Sequence, residues 1–161
     1  YLKFWNKNRL SRARDINLTP IQVSTLASIV NKESFNKHER PIIAGVYMNR
    51  INKKIKLQAD PTVIYSIKKK EKNFKKIIKR VFFRDLNLDS KYNTYRYYGL
   101  PPGPICMPDI SSIDAVLNYR KHDYLYFVAN PNKPGFHSFS KNLREHNYYR
   151  KIYLNWLKKI K

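Results

Sequence analysis

Residues 21–34, IQVSTLASIVNKES, constrain the fold more than any other stretch, because they read as an apolar helix that ends on a glutamate. Thr19 can cap its start, and Pro20 suits the first helical turn, where no backbone N–H is needed. Leu26, Ile29, Val30 and Glu33 fall at i, i+3, i+4 and i+7, so Glu33 shares a face with three apolar side chains. A carboxyl beside apolar surface is hard to ionise, and an acid still protonated near neutral pH can protonate a leaving group. The competing reading is a last helical turn whose glutamate simply reaches water. For the helix taken alone that reading prevails, because Glu is rarely buried.

At 161 residues, 42% apolar and 14% aromatic, the chain is expected to form one domain, residues 1–161, with a real core. It begins at Tyr1 rather than Met, which fits a fragment or a processed form. No stretch has the length of uncharged apolar sequence that a membrane helix needs. The single cysteine, Cys106, excludes an internal disulfide and a Cys-based zinc site. The balance of 33 basic against 11 acidic residues, net +22, fits nucleic acid, an anionic membrane surface or another acidic polymer. It equally fits drift toward Lys, Asn, Ile and Tyr, since the lysines are scattered along the chain rather than gathered in one arm.

In chain order, residues 1–18 read as a short helix, with Phe4 and Trp5 followed by basic residues from Arg9 to Arg14. Residues 38–51 form a second amphipathic helix through Ile42, Ile43, Val46, Tyr47 and Ile51. Asp60-Pro61-Thr62 reads as a cap before a short helix over 62–67, with 68–72 as a charged linker. Residues 74–86 carry Phe74, Ile77, Ile78, Val81 and Phe82 at helical spacing. Residues 92–108, YNTYRYYGLPPGPICMP, have no helical period and read as a long working loop. Ser111 caps a helix to about Arg120, 124–129 and 136–140 form a hairpin, and 142–160 close the chain. The closing helix offers Leu143, Tyr149, Ile152, Tyr153 and Trp156 to the core. The expected class is α+β: a mostly helical domain with a small antiparallel sheet.

The ordered run LASIVNKES, ERPIIAGVYMNRI, LQADPTVIY, YNTYRYYGLPPGPI, YLYFVA and FHSFSKNLREHN resembles the catalytic domain of the endolytic murein transglycosylases, the MltG or YceG-like family. The resemblance covers roughly residues 18–147. It implies an endolytic lytic transglycosylase that cuts the MurNAc–GlcNAc β-1,4 bond of peptidoglycan glycan strands and leaves 1,6-anhydroMurNAc ends. It also implies a single-pass inner-membrane parent whose catalytic part faces the periplasm or cell wall. The parent's membrane anchor and LysM-like module would lie outside this chain. Glycan strands would be its partners and cell-wall synthases its neighbours, with no cofactor. The catalytic acid of the family falls on Glu33. Asn31 stands where the family has a further glutamate, and Ala59, Lys91 and Asn142 depart from its usual residues.

The remaining candidates are weaker on residue chemistry. Gln58 and Asp60 can bond sugar or orient Glu33, although Asp60 before Pro61 also reads as a plain helix cap. Asn93, Thr94 and Tyr95 offer polar groups and an aromatic face to a glycan, or else serve as side-chain caps at a sheet edge. Tyr97, Tyr98, Leu100, Pro101, Pro102 and Gly103 would shape the groove wall. His137, Glu145, His146 and Asn147 read as a hydrogen-bonded scaffold between hairpin and closing helix, with substrate contact by His137 or Asn142 as the second reading. A metal held by His137 and His146 lacks motif spacing, so none is expected. Two rivals stand beside catalysis. One is a basic nucleic-acid-binding domain, which leaves Glu33 unexplained, so specific nucleic-acid binding is not expected. The other is a wall-binding domain without turnover.

Overall fold

Val23, Leu26, Ala27, Ile29 and Val30 are all fully buried, so the helix that carries them is covered on nearly every side. The computed structural model describes residues 3–161; Tyr1 and Leu2, the start of the first predicted helix, lie outside the described residues. That helix is α1 (Lys7–Asp15), and the central one is α2 (Pro20–Glu33). Thr19 Oγ1 accepts from the Gln22 N–H while the Gln22 side chain accepts from the Thr19 N–H, a reciprocal cap that fixes the start of α2. Its buried hydroxyls are satisfied within the helix: Thr25 donates to Ile21 O and Ser28 to Thr25 O.

Three further helices pack on α2: α3 (Arg40–Asn52), α4 (Asp60–Lys70) and α5 (Ile110–Leu117). The hairpin pairs β1 (Tyr126–Ala129) with β2 (His137–Ser140) in antiparallel register, Phe127 opposite Phe139, and α6 (Leu143–Lys159) closes the chain. The class is therefore the expected α+β, mostly helical with a two-stranded sheet. No helix among the described residues is long and apolar enough to cross a membrane.

Helix α3 grips the chain that feeds the hairpin. Asn49 Nδ2 donates to His122 O (2.8 Å) and Tyr124 O (2.9 Å), and Arg50 Nε donates to Leu125 O (2.7 Å). His122 Nε2 lies 2.8 Å from Ile42 O, and its Nδ1 accepts from Tyr124 N, which sets the neutral tautomer with the proton on Nε2. This docking needs Gly45, where a Cβ would overlap the Arg120 carbonyl oxygen and the His122 ring.

Several expectations are corrected. Residues 71–82 are turns and irregular chain, and only Phe83–Asn87 form a short 3₁₀ turn. The apolar spacing there is real, but Ile77 and Phe83 are 81% and 85% exposed. An amphipathic pattern makes a helix when its whole apolar face has a surface to cover; here Phe74 meets Tyr65, but Ile77, Phe82 and Phe83 stay exposed. Lys68, Lys69 and Lys70 are the last turn of α4 rather than a linker, where cations suit the negative end of the helix dipole. Asp60 is not a cap: Ala59 holds the cap position without a side-chain bond. Asp109, not Ser111, caps α5 through the Ser112 N–H, and the helix ends at Leu117. Finally, α6 contributes no buried residue, and Leu143 and Trp156 are exposed.

The close approach at Gly45 gives a direct test. Gly45→Ala should cost about 1–3 kcal/mol of stability through overpacking. The expected readout is a lower urea midpoint at unchanged slope; an unmoved midpoint would show that α3 and the 120–122 segment can separate freely.

Candidate active site

Glu33 is the last residue of α2, and the chain beyond it is stapled in place. Ser34 is extended (φ −148°, ψ 133°) and stops the helix. Its carbonyl accepts from Nε of Arg40 at 2.9 Å, and Nη1 of that buried guanidinium meets Asp109 at 2.9 Å. Asn36 Nδ2 reaches Gly135 O in the hairpin turn. On the neighbouring turn of α2, Asn31 Oδ1 accepts from Asp109 N (3.2 Å) and Ser112 Oγ (3.1 Å). Asn31 thus ties α2 to α5 and does not enter the cleft.

The Glu33 carboxyl opens onto a cleft of ≈ 530 Å³ between the α2–α3 core on one side and α6 on the other. The Tyr47 hydroxyl donates to Glu33 Oε1 at 2.6 Å. Glu33 Oε2 has no protein partner among the described residues. Burial pushes the Glu33 pKa up to about 7; the Tyr47 hydrogen bond opposes that rise and the nearby Asp60 carboxylate adds to it. Tyr95 donates to Asp60 Oδ1 at 2.6 Å. Both phenols are raised above the usual tyrosine range, Tyr47 by burial and then by Glu33, Tyr95 by burial and then by Asp60, so both remain donors. The cleft floor therefore holds two carboxyl–phenol pairs, one carboxyl poised to keep its proton at neutral pH.

The expected site residues divide into those that meet here and those that do not. Glu33, Gln58, Asp60 and Tyr95 line the cleft together, as do His146 and Asn147. Gln58 is held with φ +49°, a left-handed conformation that is strained for a side-chain-bearing residue, and its N–H bonds Thr94 O. Asn93 and Thr94 are buried behind the wall with their polar groups committed. Asn93 Nδ2 donates to Leu86 O and Leu88 O, while Thr94 Oγ1 serves Ala59 N and Thr62. They shape the loop that presents Tyr95 and do not face substrate. Tyr97, Tyr98 and the turn from Leu100 to Gly103 also lie off the cleft; Tyr97 bonds Asp89.

His137 is a fastener, though not between the elements expected. Its N–H and Nδ1 meet the buried Glu39 carboxylate at 2.9 and 2.7 Å, which locks the hairpin to the start of α3 rather than to α6. Asn142 caps α6 by accepting from Glu145 N, and Glu145 returns a bond to Lys141 N. His146 instead stacks on Tyr126 with ring centroids 5.0 Å apart. Among the described residues no group of three His, Cys, Asp or Glu side chains is placed to hold a metal.

Residue-type reasoning missed Tyr47, Arg50, Tyr126 and Arg150, which also line the cleft. Tyr47 and Arg50 sit three apart on α3, and Leu143, His146, Asn147 and Arg150 recur at i, i+3, i+4 and i+7 on α6. The second pattern is present in the sequence as Leu143 followed by three polar residues at helical spacing on the closing helix.

The fold and this site define a small α+β domain built around a half-buried helix-terminal carboxylic acid, arranged for general-acid chemistry. The YceG-like family model matches residues 1–151. The chain is 44% identical over 131 residues to an endolytic murein transglycosylase of Bacillus subtilis strain 168, covering 81% of this chain and 34% of that protein. It is 38% identical over 119 residues to an endolytic murein transglycosylase of Streptococcus pneumoniae D39, covering 74% of this chain and 21% of that protein. A crystal structure of a yceG-like protein from Listeria monocytogenes superposes with a TM-score of 0.75 at 37% identity, over 88% of this chain and 43% of that one. The chain belongs to the YceG-like family, and it spans about a third or less of the two curated relatives.

Two measurements check the electrostatics. In a carboxyl-carbon NMR titration, Tyr47→Phe should move the Glu33 midpoint above about 7, because the hydrogen bond that favours ionisation is gone, whereas Asp60→Asn should move it down. Stability should follow the same proton. With a folded pKa of about 7 against an ordinary glutamate value of 4.5, the native state holds the extra proton between those values. The contribution of Glu33 is thus complete below 4.5 and is lost as pH rises through 7. Thermal melts should find Glu33→Gln gaining on the native protein as pH rises from 4.5 to 8; a pH-independent difference would contradict the assignment.

Proposed function

We propose that this domain cleaves peptidoglycan glycan strands internally as a lytic transglycosylase, with Glu33 as its acid and then its base. The observation that carries the reading is the Glu33 carboxyl itself, half-buried, hydrogen-bonded once by a neutral phenol and raised to about 7 in an open cleft. The names of the Bacillus and Streptococcus relatives support the substrate class.

In this mechanism protonated Glu33 gives its proton to the glycosidic oxygen between MurNAc C1 and GlcNAc O4. The C1–O bond breaks, the GlcNAc side leaves as an alcohol, and positive charge develops at C1. Asp60, held by Tyr95, supplies fixed negative charge in the same cleft. The Glu33 carboxylate then takes the proton from the C6 hydroxyl of the same muramic residue, whose oxygen attacks C1. The product is a 1,6-anhydro end and no water is consumed. Because the nucleophile belongs to the substrate, one protein acid/base suffices, unlike the carboxylate pairs of most glycosidases. Placement of the parent in the inner membrane by a single span, with this domain facing the cell wall near the synthases, is part of the same proposal and follows from the family resemblance.

Mass spectrometry of purified uncrosslinked strands provides the test. The native domain should release fragments whose reducing ends are lighter by one water than hydrolytic ends, and Glu33→Gln should lower the rate by about 10²–10⁴-fold. The value of kcat/KM should fall as pH rises above about 7, where the acid loses its proton. Hydrated ends that depend on Glu33 would make the enzyme a hydrolase.

A further inference from the structure

The cleft is electrically divided. Its floor carries Glu33 and Asp60, while the wall toward α6 carries Arg50, His146 and Arg150. Arg50 is 6% exposed, and two of its nitrogens are committed, Nε to Leu125 O (2.7 Å) and Nη1 to Lys56 O (2.8 Å). These bonds hold the guanidinium over the Tyr126 ring, 4.8 Å from its centroid, and leave Nη2 without a protein partner among the described residues. Tyr126 also carries the His146 ring, whose Nδ1 is buried and unpartnered. Arg150, one turn further along α6, and Arg50 are both near enough to His146 to disfavour its protonation, after the larger effect of burial. No acidic side chain pairs with Arg50 or Arg150 among the described residues. Two cations thus converge on one patch of the cleft, one of them rigidly held, with no protein anion to satisfy them. A buried guanidinium with unspent donors is a recognition group for a carboxylate, which accepts from such a fork with charge-assisted bonds.

We propose that Arg50 and Arg150, flanking the His146–Tyr126 stack, form a subsite for a carboxylate carried by the substrate. The inference rests on the glycan-strand reading above and sharpens it. A strand built only of neutral sugars offers this subsite nothing. Muramic acid offers its lactyl carboxylate where the peptide is absent, and peptide carboxylates where it is present. The subsite therefore makes the acidic substituent a binding handle, set apart from the reacting bond that the Glu33 end addresses. It also places the cations where they do not ion-pair with Glu33, so the acid keeps its proton while the strand is held by charge.

Titration calorimetry on the Glu33→Gln background tests the subsite without turnover. The ligands are GlcNAc–MurNAc as the free acid, its lactyl methyl ester, and the peptide-bearing disaccharide with its carboxylates free or amidated. The free acid should bind about five- to tenfold more tightly than its neutral counterpart, in at least one of the two pairs. Arg150→Ala should abolish most of that preference, and Lys158→Ala, which removes the same charge further along α6, should leave it intact. Preference in the first pair assigns the subsite to the lactyl group, and preference only in the second assigns it to the peptide. Equal binding of acid and neutral forms, a preference that survives Arg150→Ala, equal loss in Lys158→Ala, or no binding of any ligand would overturn the proposal. Failure of the transglycosylase reading would appear separately, as absence of anhydro ends with the native domain, and would leave the calorimetric comparison to be read on its own.

Discussion

The single hydrogen bond from Tyr47 to Glu33 sets the chemistry of the whole cleft. Desolvation favours the protonated carboxyl, and the partner it is given sets how far that preference is opposed. A guanidinium in the place of the phenol would have ionised it. Arg50 lies one turn along α3 from Tyr47, yet its Nε and Nη1 are committed to the carbonyls of Leu125 and Lys56, and it makes no ion pair with Glu33. Asp60, the second carboxyl, is likewise given a phenol, so no positive charge is interposed between the two.

That arrangement works only if the end of α2 does not move. A helix terminus is ordinarily where a helix frays, and here it carries the carboxyl that opens into the cleft. The structure answers with polar bonds, anchored on the buried Arg40 and Glu39, instead of further apolar burial. Arg40 clamps Ser34 O and Asp109, Glu39 clamps His137, and Asn31 is fastened to the start of α5. Bonds of this kind specify one geometry, because losing one partner leaves the other buried and unpaired. The residues just after Glu33 in sequence are therefore those that hold it, and they contact three different parts of the chain.

Much of this was readable in advance where local signals and tertiary packing agree. The Thr19–Pro20 start, the apolar faces of α2 and α3 and the hairpin all carry local signals that the packed structure satisfies. Glu33 shares a face with Leu26, Ile29 and Val30, seven, four and three residues before it, but that spacing alone favoured a glutamate in water; the run of motifs along the chain is what singled it out. The helix expected over 74–86 does not form, because helical spacing does not reveal how much partner surface exists. Asn93 and Thr94 were assigned to the cleft from residue type alone, which cannot say that their polar groups are claimed by the carbonyls of Leu86 and Leu88 or by Ala59 N. Tyr47 was read as core, correctly as to burial, but its hydroxyl partner fourteen positions away depends on how two helices cross.

The two walls of the cleft differ in how they are built. The Glu33 side belongs to α2 and α3, which share the central core. The α6 side has no buried residue, and among the elements α6 packs only on β1 and β2, a hairpin of two four-residue strands. One jaw is therefore anchored and the other is slung from a short ribbon, whose own hold on the body is the grip of α3 and the Glu39–His137 clasp. Local opening should cost less on the α6 side than anywhere along α2. The cleft can then widen by yielding of the slung jaw, while Glu33 stays fixed in the anchored one.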